Sequence, residues 1–424
     1  MNALRAFLTK FRISNPFSSS WQTPMRVSTQ VLKCDVSSIS FSADEQPEIT
    51  CADTLKALKD ASHYLTDLLQ PIAFPTETVY GLGALALDSA AASLIFSTKG
   101  RPPDNPLIVH VSSSLMLQSL LPPNYILPPS YEVLIKHFWP GPLTLLFPSD
   151  PKRIPSIITA NQPTVAIRMP SHPVARALIA ISNAPLAAPS ANSSGKPSPT
   201  RAEHVLHDLG GKIGIILDGG PCDVGLESTV IDGLHEDGNI RILRPGGVTV
   251  EAIEQVLRDG ITDGTQVPRV LVHRRDFSDD SLEQAPTTPG MKYRHYSPAV
   301  PVTLLWTSSS PPFGTETVSP AAMLGSIKGL HSSRPVKVGI LAPTDSPLLQ
   351  ILLADEAVEW HQYRLGSKSE PAITAQRLFD GLLTLEKESV DIILIEEVGE
   401  EQEGLAIMNR VKKAAGESRW VCIA

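Results

Sequence analysis

The segment Lys99-Gly-Arg-Pro-Pro-Asp-Asn-Pro-Leu-Ile-Val-His110, here named the opening segment, joins a predicted helix to a predicted buried strand. Its prolines fix φ and disfavour a helix, so Lys99 and Arg101 are held on a rigid turn. The apolar run at 107–109 predicts a strand that ends at the polar His110. Ligands bind α/β sheets at the carboxyl ends of strands, so two fixed cations here suit an anion. A basic helix end followed by an ordinary turn is the alternative.

Strands and helices on both sides of this segment interleave without strict alternation. Apolar stripes predict helices at 53–70, 89–98, 173–181 and 249–257. Short apolar runs predict strands at 72–74, 107–111, 144–147, 164–169, 213–217, 228–231 and 240–243. The pattern therefore predicts an α/β domain with a twisted, mixed sheet.

At 424 residues the chain is too long for one ordinary core, so two domains are expected. The pattern indicates an N-terminal extension at 1–48, a first domain at 49–260 and a linker at 261–300 that is rich in charged and turn residues. Residues 301–424 alternate β and α and predict a smaller Rossmann-like α/β domain. Within it, the Ser/Pro-rich stretch 307–335 predicts a surface loop.

Composition argues against several classes of protein. The net charge of −8 disfavours a surface devoted to nucleic-acid backbone, although a local basic cleft stays compatible with it. No apolar run approaches the roughly eighteen residues that a membrane helix needs. The four cysteines are scattered, without the spacing of a zinc site or a disulfide framework. We therefore expect a cytoplasmic protein.

The N-terminal residues have a different composition. The first acidic residue is Asp35, and the stretch before it is basic and rich in Ser and Thr. This is typical of an organelle-targeting segment, and a variable tail is the equal alternative. Met25 offers an internal start that deletes most of the segment. The sequence thus raises the hypothesis of one gene that serves both mitochondria and cytosol.

Glycine motifs do not predict a dinucleotide site or a P-loop. Gly81-Leu-Gly-Ala-Leu-Ala86 matches G-x-G-x-x-A, but the next helix begins at Asp88 or Ser89 and no acidic residue stands at the ribose-binding position. Gly195-Lys196 is followed by proline, which does not fit G-x-x-x-x-G-K-[ST]. We expect no nicotinamide cofactor.

The polar loop at 186–199 is longer than a connection needs. It carries Ser190, Asn192 and Ser198, whose hydroxyl, amide and N–H groups suit a phosphate, and an ordinary Ser/Pro connection is the alternative. Further along, Ser228 stands at a strand start, where its hydroxyl either meets a small polar substrate or ends a turn.

Two arginines lie within or just after apolar strands. Arg168 and Arg244 need an anionic partner there, because an unpaired buried charge is very costly. That partner is either a substrate or an internal carboxylate, for which Glu77 and Glu227 are the candidates.

Several motifs occur in a fixed order along the chain. They are Pro75-Thr-Glu-Thr-Val-Tyr-Gly-Leu-Gly83, Lys99-Gly-Arg-Pro with Asn105-Pro-Leu-Ile, Trp139-Pro-Gly-Pro-Leu-Thr144, Ala166-Ile-Arg-Met-Pro170, Ala188-Pro-Ser-Ala-Asn192, Leu243-Arg-Pro-Gly246, Pro289-Gly-Met-Lys-Tyr-Arg-His-Tyr-Ser-Pro298 and Ala406-Ile-Met-Asn-Arg410. Together they closely resemble the YrdC-like family in its two-domain form. The resemblance begins near residue 50 and leaves the N-terminal extension and the 307–335 stretch outside it.

The resemblance implies an activity. It implies a synthase that joins L-threonine, bicarbonate or CO2, and ATP into threonylcarbamoyl-adenylate and pyrophosphate, for tRNA threonylcarbamoyladenosine formation. Such an enzyme is a nucleotidyltransferase whose product passes to the tRNA threonylcarbamoyl transferase machinery. Mg²⁺ would travel with ATP and have no dedicated protein ligands, since it prefers phosphate oxygens and water. No membrane partner is implied, and direct tRNA binding stays open.

The resemblance also implies roles for individual residues. The catalytic residues would be Lys99 and Arg101. Contacts to ATP would come from Lys99, Arg101, Asn105, Thr164, Ser190, Asn192, Ser198, Arg244 and Tyr293. Contacts to L-threonine would come from Thr78, His110, Arg168, Ala188 and Ser228, with Arg168 paired to the substrate carboxylate. The opening segment would then face nucleotide at one end and threonine at His110.

The linker motif at 289–298 belongs to the same resemblance. An acyl-adenylate is easily hydrolysed, so this linker is predicted to cover the active site and exclude water, with a passive tether as the alternative. The competing functional hypothesis is an RNA-binding tRNA-maturation factor without adenylation activity. The net charge and the lack of aromatic stacking residues near the predicted cleft disfavour it.

Overall fold

The computed structural model describes residues 27–262, 264, 266–278, 295–308, 310–330 and 334–423. The strands of the first part, labelled in chain order, are β1 Gln30–Lys33, β2 Ile39–Phe41, β3 Pro47–Ile49, β4 Ile72–Phe74, β5 Gly81–Leu85, β6 Ile108–His110, β7 Leu143–Pro148, β8 Thr164–Arg168, β9 Leu186–Ala187, β10 Ile215–Asp218, β11 Thr229–Asp232, β12 Ile240–Arg244 and β13 Val270–Val272. Its helices are α1 Ala52–Thr66, α2 Ser89–Lys99, α3 Ser114–Leu120, α4 Pro129–Phe138, α5 Ser156–Thr159, α6 Pro173–Ser182, α7 Ala202–Leu209 and α8 Val250–Gly260.

One large mixed sheet organises the first domain. Its strand order is β1-β10-β4-β5-β9-β6-β8-β7-β11-β12-β13. Parallel pairs such as β6 with β8 stand beside antiparallel pairs such as β7 with β8. This confirms the predicted mixed α/β sheet. The register sets His110 opposite Arg168, so the ends of two neighbouring strands bring two predicted site residues together.

The helix that precedes the opening segment is capped at both ends. The Asp88 side chain accepts a hydrogen bond from the Ala91 N–H, which satisfies one free donor at the start of α2. Ile95 and Phe96 bury the inner face of the helix. Gly100 then adopts a left-handed conformation with φ 62° and ends it, and the Arg101 N–H bonds to the Phe96 carbonyl. Lys99 and Arg101 are thereby fixed on either side of one turn.

The second domain is built on a separate parallel sheet. Its strands are β14 Val302–Trp306, β15 Thr317–Val318, β16 Lys337–Ala342, β17 Glu359–Arg364, β18 Ile392–Glu396 and β19 Glu417–Val421. Its helices are α9 Pro320–Lys328, α10 Pro347–Leu353, α11 Pro371–Lys387 and α12 Gly404–Ala414. The strand order β15-β19-β14-β18-β16-β17 is parallel throughout, which confirms the Rossmann-like prediction.

The prediction of a surface loop over 307–335 is wrong for the middle of that stretch. Within its described residues, the structure has β15 and α9, and Ser319 caps α9 by accepting from the Ala322 N–H. Met323, Leu324 and Ile327 are buried on one face of this helix. The Ser/Pro-rich composition concealed this apolar stripe, which has ordinary helical spacing.

Two predicted boundaries also need correction. The sequence predicts an extension at 1–48, but β1 pairs in parallel with β10 and adds an edge strand to the large sheet. The β2–β3 hairpin follows directly, so residues from 30 onward belong to the first domain. Residues 1–26 lie outside the described residues. At the other end, β13 pairs with β12, which moves the first part of the predicted 261–300 linker into the sheet.

The two domains share an apolar interface. Val79 and Leu226 from the first domain are in one buried cluster with Phe379 and Ile407 from the second. Tyr296, from the linker, belongs to the same cluster and its ring lies 5.2 Å from that of Phe379. Across the described ranges, no helix is both long and apolar enough to span a membrane.

Candidate active site

A small cavity lies between the first domain and the linker. Its volume is about 50 Å³, which is room for a few water molecules. It is lined by Thr76, Thr78, Val79, Gly81, Arg101, Ile108, His110, Arg168, Ala188, Pro189, Ser190, Glu227, Ser228, Arg244, His295 and Tyr296. Its wall combines three guanidinium groups with one carboxylate and several hydroxyl groups. Such a wall suits a ligand with more than one negative charge.

The opening segment supplies two of the cations. Arg101 lines the cavity, and its guanidinium donates to the carbonyl oxygens of Asn105 and Pro106 at 3.1–3.3 Å. Burial, with Arg244 nearby, lowers the pKa of Arg101 to about 10. Lys99 is buried behind Ser190, and its ammonium donates to the carbonyl oxygens of Ser190 and Asn192.

Burial, with Arg101 nearby, also holds the pKa of Lys99 well below its ordinary range. Two cations that disfavour each other in a dry place gain stability from an anionic ligand, because the ligand restores the charge balance. The site at the start of the opening segment is therefore electrostatically prepared for an anion.

Arg168 has an internal carboxylate partner. Its Nη2 lies 2.6 Å from Glu77 Oε1, and both side chains are almost fully buried. Nη1 donates to Thr78 Oγ1 at 2.9 Å and Nε donates to the Gly141 carbonyl at 3.2 Å. The internal ion pair with Glu77, which the sequence left open, is thus present. A guanidinium has five N–H donors, so these three contacts leave two for a further acceptor.

His110 lies beside Arg168 at the end of β6. Burial, reinforced by the charge of Arg168, lowers the pKa of His110 to about 3. Its Nδ1 is 3.2 Å from the Ile108 carbonyl, a contact that suits a protonated Nδ1 and leaves Nε2 as an acceptor. A neutral imidazole of this kind can accept a hydrogen bond from an ammonium or hydroxyl group.

On the opposite wall, two hydroxyl groups and a guanidinium form a connected set. Ser228 Oγ is 2.7 Å from Thr144 Oγ1. Arg244 Nη2 donates to Ser228 Oγ at 3.2 Å and to the Ser228 carbonyl at 2.9 Å. Burial lowers the pKa of Arg244. These contacts fix the direction in which Arg244 faces the cavity.

A carboxylate at the same wall is tied to the second domain. Glu227 Oε1 accepts from Ser198 Oγ at 2.7 Å, and Oε2 accepts from Arg410 Nε and Nη2 at 3.1 and 3.0 Å. Burial alone would raise the pKa of Glu227, but the charges of Arg410 and Arg244 outweigh it and lower the pKa to about 2. Glu227 is therefore ionised at neutral pH.

The linker closes the remaining side. His295 and Tyr296 line the cavity, and Tyr296 is 1% exposed. The Arg410 guanidinium lies 5.8 Å from the centre of the Tyr296 ring. Burial lowers the pKa of His295 to about 4, and burial with the charge of Glu227 raises that of Tyr296 to about 12. Both side chains are neutral at physiological pH.

Most of the predicted site residues converge on this cavity. Those that line it are Thr78, Arg101, His110, Arg168, Ala188, Ser190, Ser228 and Arg244. Those that are described but do not line it are Lys99, Asn105, Thr164, Asn192 and Ser198. Of these, Asn105 Oδ1 and Thr164 Oγ1 are buried without a partner among the described residues. Tyr293 lies outside the described residues.

Sequence reasoning missed four groups. The sequence predicts Glu227 only as an ion-pair partner and Tyr293 as the contact from the linker, whereas Glu227, His295 and Tyr296 line the cavity. Arg410 was part of a motif without a role. A signal was available for Arg410, since it stands on the buried face of α12 between Ile407 and Val411. A charge at such a position requires a partner.

The chemistry of the donor set bears on a metal ion. In the described ranges, no group of three or more His, Cys, Asp or Glu residues could hold a metal. The two carboxylates near the cavity, Glu77 and Glu227, are each engaged by an arginine. The wall therefore offers cations and hydroxyl groups to a ligand, and any divalent ion would depend on oxygen atoms that the ligand brings.

Comparisons with known proteins cover nearly the whole described chain. Residues 70–246 match a family model described as "Telomere recombination", and residues 248–416 match one described as "Threonylcarbamoyl-AMP synthase, C-terminal domain". The chain is 42% identical over 393 residues to the threonylcarbamoyl-AMP synthase of Schizosaccharomyces pombe, covering 86% of this chain and 89% of that protein. It is 41% identical to that of Bacillus subtilis, covering 81% of this chain and 89% of the relative.

A solved structure has the same two-domain arrangement. The crystal structure of P. abyssi Sua5 complexed with L-threonine is 36% identical in sequence, with a TM-score of 0.70. The match covers 93% of this chain and 100% of that one. The similarity therefore extends over both domains.

Proposed function

Because this chain belongs to the threonylcarbamoyl-AMP synthase family, with both of its domains present, we propose that it makes L-threonylcarbamoyl-AMP for tRNA threonylcarbamoyladenosine formation. The substrates are L-threonine, bicarbonate or CO2, and ATP, and the second product is pyrophosphate. The observation that carries the proposal is the convergence of the buried side chains of Arg101, Arg168 and Arg244 on one cavity. Three buried guanidinium groups are retained at such a place when the ligand is a polyanion.

L-Threonine suits the end of the cavity at β6 and β8. The two remaining donors of Arg168 can bind the substrate carboxylate, and the acceptor Nε2 of His110 can bind the amine. Thr78 and Ser228 supply hydroxyl groups for the small side chain, and Ala188 limits its size. Ligand-free Arg168 is balanced by Glu77, which holds the guanidinium in place before threonine arrives.

ATP suits the other end, at the turn that carries Lys99 and Arg101 and at the polar loop 186–199. Lys99, Arg101 and Arg244 are the cations available to its phosphates. Ser190 lines the same end, and Asn192 and Ser198 hold the loop from behind. Asn105 and Thr164 supply buried polar atoms that have no partner among the described residues, which suits contacts to the nucleotide. The same proposal includes Tyr293 as a contact from the linker.

The reaction is a nucleotidyl transfer. The threonine nitrogen attacks the carbon of CO2 and loses a proton, which gives a carbamate. A carbamate oxygen then attacks the α-phosphorus of ATP, and the bond between this phosphorus and the β-phosphate oxygen breaks as pyrophosphate leaves. Negative charge grows on the leaving group, so fixed cations such as Lys99 and Arg101 stabilise the transition state without reorganisation. These two residues are the proposed catalytic groups.

The linker acts as a cover in this scheme. His295 and Tyr296 form one side of the cavity. In this scheme the two side chains move to admit the nucleotide, and their return excludes water from the labile adenylate. Mg²⁺ would be held mainly by oxygen atoms of the phosphates, whose charge it would balance. The product would pass to the tRNA threonylcarbamoyl transferase machinery.

A three-substrate assay tests the proposal. Pyrophosphate release is measured in CO2-depleted buffer with ATP, L-threonine and bicarbonate, and with each omitted in turn. We expect release only when all three are present, and we expect L-serine to be a poor substitute for threonine. Release without threonine or bicarbonate would contradict the synthase assignment. Tight tRNA binding with no pyrophosphate release would favour an RNA-binding maturation factor instead.

A further inference from the structure

We propose that Arg410, a residue of the second domain, is a positioning residue for the ATP end of the active site and acts through Glu227. This rests on the proposed function and extends it, because it gives the second domain a part in the nucleotide site. Arg410 itself does not line the cavity. It touches three groups that form or support its wall, and through them it sets the charge of that wall.

A single buried guanidinium group makes all of the contacts of Arg410 described here. The side chain is 0% exposed, and two of its nitrogens bind the same oxygen of Glu227. Its Nη1 donates to the carbonyl of Pro245, the residue after Arg244. Its plane also lies near the ring of Tyr296, which closes the cavity from the linker. One side chain therefore joins α12, the end of β12 and the linker.

Glu227 passes this contact on to the polar loop. Its other oxygen accepts a hydrogen bond from Ser198, which the family pattern assigns to ATP. Arg410 and Ser198 thus hold the two oxygens of one carboxylate and fix its rotation. If Arg410 is lost, Glu227 can turn, and the loop at 186–199 loses a fixed attachment point.

The negative charge of Glu227 makes its pairing with Arg410 important for ATP binding. Glu227 lines a cavity that must accept the phosphates of ATP, and an unpaired carboxylate there would repel them. Arg410 neutralises it from behind without occupying space that the nucleotide needs. The other charged or titratable groups that act on Glu227 are Arg244, Lys413, Lys99, His295 and Tyr296. Arg410 differs from them because it is bonded to Glu227 through two nitrogens.

A double-mutant cycle with full-length protein tests this role. The variants are Arg410→Met, Glu227→Gln and the two together, and the measurements are the equilibrium Kd for ATP and the KM values for ATP and threonine. We expect Arg410→Met to weaken ATP binding about tenfold, the effect of one poorly screened like-charge contact. The KM for threonine should stay within about twofold, because Arg168 and its partners are untouched. The double variant should bind ATP better than Arg410→Met, since the unpaired charge is gone.

The pH profile separates this role from a purely structural one. In Arg410→Met, protonation of the unpaired Glu227 should restore ATP affinity as the pH falls towards 5, and the double variant should lack this dependence. Arg410→Lys should recover part of the affinity, because it returns the charge but not the two-nitrogen contact.

A matched control removes a different interdomain ion pair. Arg201 pairs with Asp380 of the second domain and is partly exposed, away from the cavity. Arg201→Met should leave the Kd for ATP unchanged. Wild-type ATP affinity in Arg410→Met, or a double variant no better than Arg410→Met, would overturn the proposal. Absence of three-substrate turnover in the wild-type protein would instead overturn the proposed function, since ATP binding is measured separately.

Discussion

At the scale of single residues, the buried arginines differ in how their charge is balanced. Arg168 and Arg410 each have a buried carboxylate, Glu77 and Glu227 respectively. Arg101 donates to carbonyl oxygens instead, and burial lowers its pKa. Because carbonyl groups do not neutralise a cation, a bound anion would stabilise the charge of Arg101. Replacement of Arg101 is therefore a direct test of the phosphate end.

Replacement of Arg101 should strongly reduce turnover. We expect Arg101→Ala to reduce pyrophosphate release by about a hundredfold or more, the loss typical when one preorganised charge in a transition-state site is removed. The measurement is initial pyrophosphate release with all three substrates, beside circular dichroism and thermal unfolding to check folding.

Two further variants complete that test. Arg101→Lys keeps a positive charge and should retain more activity than Arg101→Ala. Arg153→Ala, which removes a partly exposed arginine paired with Asp150, should keep full activity. Near-normal activity in folded Arg101→Ala would show that the assignment of ATP to this end is wrong.

At the scale of elements, the turn after α2 places the two cations. Gly100 has a φ of 62°, in the left-handed region that favours glycine, and a Cβ added there would have nothing within 4 Å. The constraint at this position is therefore backbone conformation and not space. The prolines that follow, predicted to prevent a helix, complete a turn that leads into β6.

A substitution at Gly100 should test this geometry. We expect Gly100→Val to destabilise the protein by about 1–3 kcal/mol, because a β-branched residue is strained at positive φ. It should also raise the KM for ATP, since Lys99 and Arg101 are displaced. The measurements are chemical denaturation and ATP-dependent kinetics.

Gly100→Asn provides the matched comparison. Asparagine tolerates the left-handed conformation, so stability and KM should stay close to those of the unaltered protein. An equal loss of stability in Gly100→Asn and Gly100→Val would contradict the backbone explanation. It would show instead that any side chain at this position is unfavourable.

At the scale of the whole molecule, the N-terminal boundary decides how localisation is tested. We propose that the chain acts in the cytosol and, through its basic N-terminal segment, in mitochondria. Since β1 belongs to the first domain, the segment to test ends at residue 26. A fluorescent reporter carrying residues 1–26 should give mitochondrial signal, and the matched fusion with the basic residues Arg5, Lys10 and Arg12 changed to glutamine should be diffuse. Diffuse signal from both would contradict the mitochondrial part.

Much of this molecule follows from local sequence. Strand and helix periodicity predicted the mixed α/β domain, the parallel second domain and the helix at 89–98, because burial of an apolar face imposes a regular spacing. Chemistry also predicted that Arg168 and Arg244 need anions, and it named Glu77 and Glu227 as candidates. The helix at 320–328 was missed because its short apolar stripe lies in a Ser/Pro-rich stretch. Strand β1 was missed because an edge strand has little alternation of apolar and polar residues.

Tertiary structure alone decided which charges meet. The sequence separates Glu227 from Arg410 by 183 residues, and no local pattern relates them. Their pairing depends on how the second domain packs against the first, through Val79, Leu226 and Tyr296. The same packing decided that His295 and Tyr296 close the cavity. Two charged groups interact strongly only when they are close in space. That distance depends on long-range packing, which the hydrophobic periodicity of the sequence does not contain.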